Sequence, residues 1–338
     1  MPKYRIQIVI ISTLISLVAI RPAISAETWR LEQGEDWKTI DAEGKDKYLL
    51  AVADIKKMVA MGETKAVGEA LDKLKKDFPE IAGPDVDAFI KAERFFCEDK
   101  FIEAARGYDK FLEEFPESGL YEAALERQFT IAEAFLNGRR KTVLWVLPMK
   151  AYAEGIKIME RISDRAGDAP IGVRAAVAVA ENYERRKKLN EAYHKWSEIS
   201  SRWPTGDAGK EALLGMARCK YAEYRGPKFN ASNLISAKSY YENFKLRYPQ
   251  EAEELGIDKI LEQINEQLAY KYFDVGRYYQ KIGSEQSANL YYQMVLDNWP
   301  GSRAGKKIKA VMEEKKTDDK KEKKWEEQII ESLEGLFL

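Results

Sequence analysis

Five stretches of this chain close on an aromatic residue followed by proline: Phe78-Pro79, Phe115-Pro116, Trp203-Pro204, Tyr248-Pro249 and Trp299-Pro300. Proline lacks an N–H and turns the residue before it away from α geometry, so each pair marks a helix end. Take the aromatic as position zero. Four residues before Phe115 stands Phe111, seven before it Tyr108 and eleven before it Ala104. The same offsets from Trp203 give Ile199, Trp196 and Ala192; from Tyr248, Phe244, Tyr241 and Ala237; from Trp299, Val295, Tyr292 and Ala288. Such steps put all four side chains on one helix face, which is apolar at three places and small at the fourth. A small residue lets a second helix come close. Ser118, Asp207 and Ser302, just past their prolines, are candidate caps for the next helix.

The helix before each of these repeats too. Ala92 with Phe95, Ala180 with Tyr183, and Gly276 with Tyr279 each place a small residue 12 positions before Ala104, Ala192 and Ala288. A worn copy has Ala132 and Phe135 in its first helix and Gly155, Met159, Ile162 and Ala166 in its second. Each unit therefore reads as two antiparallel helices joined by a short polar turn, touching at the two small positions. The fold class is all-α: an α-solenoid of about five helical hairpins, residues 85–312, after a weaker hairpin at 48–84.

Small-x-x-aromatic, a small residue 12 later, then aromatic and proline, is similar to the tetratricopeptide pattern. The stretch Leu268 to Ser302, in a chain with a secretory leader, further resembles the BamD family, the tetratricopeptide component of the β-barrel assembly machinery. That resemblance implies a non-catalytic scaffold whose partners are the barrel-forming subunit and unfolded outer-membrane proteins. Members of that family are usually lipoproteins. This chain has no acylatable cysteine beside its cleavage site, so membrane association is expected to be indirect. The alternative is another periplasmic tetratricopeptide scaffold, for instance one coordinating cell-wall synthesis or division.

The leader is residues 1–26. Lys3 and Arg5 precede an apolar run from Ile6 to Ile20, followed by Pro22 and the small residues Ala23 to Ala26. This is a secretory layout with cleavage after Ser25 or Ala26, and it places the mature chain in the periplasm. The run is short of the about 20 residues a membrane span needs. An uncleaved anchor is the other reading. Residues 27–47 fit a short β-hairpin or an extended arm. Residues 313–338 carry a charged linker and then Trp325, Ile329, Ile330, Leu333, Leu336 and Phe337 near one helical face, flanked by Glu326, Glu327, Glu331 and Glu334. Such a face can dock on the last repeat, on a partner or on a membrane, and the acidic flanks favour protein.

A net charge of −1, with 33% of residues charged, argues against nucleic acid as partner. One histidine, His194, reads as a surface residue, and the two cysteines, Cys97 and Cys219, read as small buried hydrophobes. No phosphate-binding glycine loop, HExxH or nucleophile elbow is present, so no cofactor, metal or catalytic centre is expected. Candidate partner-binding residues fall into four groups. Arg94, Gln128, Glu181 and Arg185 lie beside the packing positions of first helices. Arg139, Arg140 and Trp145 belong to a long loop, Asn137 to Lys150, that interrupts one hairpin. Tyr224, Arg225 and Phe229 lie in a turn-rich break between Glu223 and Asn233. Tyr278 and Tyr291 are aromatic anchors in the last unit. Packing within the array is the competing role for the loop and tyrosine groups.

Overall fold

The computed structural model describes residues 28–30, 38–40, 42–143 and 147–313. The leader, Trp145 and the apolar tail from Trp325 lie outside these residues. Strand β1 (Thr28–Arg30) pairs antiparallel with β2 (Lys38–Ile40). Most of the remaining described architecture is helical hairpins, with one further pair of strands. Helices α1 (Ala42–Ala60) and α2 (Lys65–Asp77) form the first hairpin. The five that follow are α3 (Pro84–Cys97) with α4 (Phe101–Glu114), α5 (Tyr121–Leu136) with α6 (Tyr152–Ala166), α7 (Pro170–Arg185) with α8 (Leu189–Arg202), α9 (Gly206–Glu223) with α10 (Ser232–Arg247), and α12 (Ile257–Lys281) with α13 (Glu285–Asn298). A short α11 (Pro249–Glu254) precedes the long α12. Residues 303–313 are again helical.

Each aromatic before proline is the C-cap of its helix, and all adopt one conformation. φ runs from −126° at Trp203 to −139° at Trp299, with ψ between 55° and 77°. Each donates its N–H to the carbonyl four residues back: Leu74, Phe111, Ile199, Phe244 and Val295. These side chains are half-buried rather than fully buried, because the last turn faces the rim of the array. The periodic positions before them form the core. Ala104, Tyr108 and Phe111, then Ala192, Trp196 and Ile199, then Ala237, Tyr241 and Phe244 are all buried. In the worn unit a Cβ on Gly155 would stand 2.9 Å from the Ala132 carbonyl oxygen, so these helices touch at their small positions.

The turns inside the hairpins repeat as well. Asp99, Lys187 and Gly283 each hold positive φ, at 59°, 59° and 78°. The next residue in each case, Lys100, Lys188 or Ser284, donates its N–H to Phe95, Tyr183 or Tyr279. This is the left-handed helix ending that glycine favours, here met twice by other residues.

Four readings of the sequence need correction. The break between α5 and α6 is not a loop: β3 (Arg140–Val143) and β4 (Leu147–Lys150) pair antiparallel, with Arg140 opposite Lys150. Cys97 is exposed and only Cys219 is buried, because Cys97 ends α3 at the rim of a small cavity against α2 rather than inside the core. Asp207 caps nothing: it lies inside the first turn of α9, where Lys210 reaches it at 3.3 Å. Ser302 does cap, its Oγ accepting from the Gly305 N–H at 3.0 Å, whereas Ser118 stands ahead of the α5 N-cap, Leu120, and its Oγ accepts from the Leu120 N–H at 3.2 Å without capping the helix.

The array's N-terminal end hides a charged cluster. Arg127 of α5 donates to Glu93 of α3 through Nε at 3.1 Å and Nη2 at 2.7 Å, and to the Glu63 carbonyl oxygen at 2.8 Å. Tyr108 donates its hydroxyl to the same carboxylate. Burial, and then the Glu93 charge, push the Tyr108 phenol well up, so it stays a donor.

Candidate partner-binding surfaces

First helices of neighbouring units pack side by side, α5 on α7 and α7 on α9, and share one face. Much of the charge on that face is answered within the chain. Arg174 donates to Glu126 at 2.9 Å and lies 4.3 Å from the centre of the Phe129 ring. Arg218 grips Glu184 at 2.7 and 3.0 Å and Glu211 at 2.9 Å. Glu184 also accepts from the Trp196 ring N–H at 3.1 Å. Burial works against the Arg218 charge, and the two carboxylates outweigh it, so the guanidinium is held firmly protonated.

Of the four first-helix candidates, three are exposed. Arg94 is exposed beside a cavity of about 170 Å³ between α2 and α3. Arg185 donates to the Asn137 side-chain oxygen at 3.2 Å. Glu181 is exposed as a residue, yet partial burial of its carboxyl, then the nearby Glu211 charge, raise that group above its ordinary value. Gln128 is a correction: it is fully buried, and its Nε2 donates to the Ala105 carbonyl at 3.3 Å. It fixes α5 against α4 and offers nothing to a partner.

Arg139 and Arg140 stand exposed where β3 begins. Arg139 pairs with Asp99 at 3.0 Å and lies 3.9 Å from the centre of the Phe101 ring. Both line a cavity of about 710 Å³ between α4, β3 and α6, whose walls mix Arg106 and Arg161 with Asp109 and Glu154. It offers no single sign of charge.

The break between α9 and α10 brings its three predicted residues to two cavities at once. On one side Tyr224 and Arg225 join Glu266, Gln267 and Tyr270 of α12 around about 500 Å³. On the other, Arg225 and Phe229 join Lys187, Leu189 and Asn233 around about 560 Å³. Lys271 pins the loop by donating to the Pro227 and Phe229 carbonyls at 2.9 and 2.7 Å. The Phe229 ring is 52% exposed. The Tyr224 hydroxyl is buried with no hydrogen-bond partner, a polar atom left for something to satisfy.

In the last unit the two tyrosines separate. Tyr278 is 60% exposed. Tyr291 is half-buried and stacks on Tyr279 with centroids 5.5 Å apart, so it joins α12 to α13. A further cavity of about 640 Å³, absent from the candidates read above, lies between α12, α13 and residues 303–313, lined by Phe273, Arg277, Tyr292, Lys307 and Ile308 among others. Its one signal was the small pair Gly276 and Ala288, which holds α12 and α13 close.

No family model matches the sequence, and no curated protein matches it. Solved structures of related shape exist. The type IV pilus biogenesis factor PilW has 14% identity, with 80% of this chain and 99% of that one covered at a TM-score of 0.31. Pseudomonas aeruginosa PilF has 15% identity, 80% and 98% covered, and a TM-score of 0.34. The apo form of RapI has 13% identity, 78% and 99% covered, and a TM-score of 0.37. Nothing about function follows from overlaps of this size, and the fold rests on the hairpins and their repeated caps.

Proposed function

We propose that this chain is a non-catalytic interaction scaffold of the cell envelope that serves outer-membrane β-barrel assembly. Its partners in this reading are the barrel-forming subunit of the assembly machinery, bound at the C-terminal hairpins, and unfolded outer-membrane proteins, held along the first-helix face. The mature chain is periplasmic and reaches the outer membrane through those partners. Among the described residues, no helix is long and apolar enough to cross a membrane.

The observation that carries the reading is the exposed aromatic and cavity-bearing surface of the last two hairpins. Phe229, Tyr270 and Tyr278 are large aromatic side chains left open on these units. An interface of standard size buries about 800 Å² per partner, which two adjacent hairpins can supply. Aromatic anchors of this kind dominate binding energy where they enter a partner's pocket.

Tyr278→Ala tests it. The side chain is exposed, so circular dichroism and melting should be unchanged. Purified barrel-forming subunit should bind the wild-type chain and bind the variant at least about tenfold more weakly, as loss of an aromatic anchor does. Absence of binding by wild type ends the barrel-assembly reading. A general periplasmic scaffold, such as one for cell-wall synthesis or division, then takes its place.

A further inference from the structure

The end of a repeat array needs a polar outer cover, because its last unit has no neighbour to bury its core face. Among the described residues, 303–313 supply part of one. Ala304 and Ile308 close over Phe273 and Val295. Beyond them the cavity of about 640 Å³ stays open, with Phe273, Tyr292, Ile308 and Met312 in its walls. Val311, on the same wall, is 46% exposed.

The cavity is also cationic. Arg277 and Lys307 both line it and stand 5.9 and 5.7 Å from the Phe273 ring centre. The helical residues 303–313 carry Arg303, Lys306, Lys307 and Lys309 against Glu313 alone. Glu285 lines the cavity from α13 and is its one carboxylate among the described residues.

We infer that the occupant is this chain's own tail, residues 325–337. It has the complementary chemistry: an apolar set at helical spacing from Trp325 to Phe337, with four glutamates and no lysine or arginine between Trp325 and Leu338. It also has the reach. Met312 lines the cavity itself, and residues 314–324, fully extended, span up to about 36–40 Å. Tethering at so short a distance gives the tail a local concentration on the order of millimolar, which a free competitor must exceed. The tail thus caps the solenoid and shields the surface between α12 and α13. A partner that uses that surface must first displace it. The inference holds whichever partner the scaffold serves.

Disulfide trapping in the full chain tests this. Asn289 is exposed and lines the cavity. In a Cys97→Ser background, Asn289→Cys is paired in turn with Ile329→Cys, Ile330→Cys and Leu333→Cys. Leu246→Cys, 83% exposed on α10, replaces Asn289→Cys as control. At least one tail position should form an intramolecular disulfide with residue 289 under mild oxidation, and none should form one with residue 246. Lys307→Glu should slow that trapping. In the otherwise natural chain, Ile329→Asp with Leu333→Asp should speed amide exchange in α13 by about tenfold or more. Three results overturn the inference: no trapping above the Leu246 control, trapping only between two molecules, or α13 exchange unchanged by the tail substitutions. The second would assign the cavity to a second copy instead.

Discussion

Gly215 of α9 lies against Trp196 of α8, and the contact sets how close two helices of the array come. A Cβ added at Gly215 would stand 2.5 Å from Cδ2 and Nε1 of the indole, and closer still to Cε2. Ordinary carbon contacts begin near 3.5 Å, so about 1 Å of movement is required. The ring cannot give way easily. It is fully buried, and its N–H is held by Glu184 at 3.1 Å. Overpacking of this kind costs about 1–3 kcal/mol, and the better helix propensity of alanine returns about 1. Gly215→Ala should therefore destabilise by about 1 kcal/mol on balance, and by no more than about 2, despite improving the helix. Gly68 of α2 is the control, since a Cβ there meets nothing within 4 Å. Gly68→Ala should stabilise by about 1 kcal/mol. Urea unfolding followed by circular dichroism reads the two shifts, and amide exchange in α8 and α9 places the first, because repeat arrays can open locally. Equal stabilisation by both substitutions would refute the packing at Trp196 and with it the register of the α8–α9 contact.

Other consequences are accessible to the same methods. Arg127→Ala strands the Glu93 carboxylate in the interior and should cost about 3–5 kcal/mol in urea unfolding, whereas Arg127→Met with Glu93→Leu should recover most of it. Glu181 has a folded-state carboxyl raised above its ordinary value of 4.5, so its contribution is favourable below that pH and is lost as the pH rises through the folded value. Glu181→Gln should accordingly be more stable than wild type at neutral pH, with the advantage vanishing in melts below about pH 4. Burial pushes the Cys219 thiol up to about 12, while Cys97 is exposed, so a thiol reagent at mildly alkaline pH should modify Cys97 alone in the folded chain and both after denaturation.

Much of the fold was written in the sequence because each burial decision in a repeat array is local. Ala192, Trp196 and Ile199 are spaced for one helix face, and that face has only its own hairpin partner and the next unit to meet. The turns were less visible. Glycine advertises a left-handed residue at 283, but Asp99 and Lys187 take the same conformation without advertising it. The β3–β4 pair was missed because Pro148 within a short strand reads as a break, a place where an edge strand tolerates it. Gln128 was misplaced because a polar residue beside an apolar period reads as an outward face until a buried acceptor, here the Ala105 carbonyl, claims it. Surfaces obey no such period. Arg218 and Glu184 are 34 residues apart, and Arg185 and Asn137 are 48 apart. Whether a charged side chain is free for a partner depends on whether a residue that distant has already claimed it. The candidate site is therefore what remains after the internal pairings are made: the Tyr224–Phe229 loop, Tyr278, and the cationic cavity at the end of the described array.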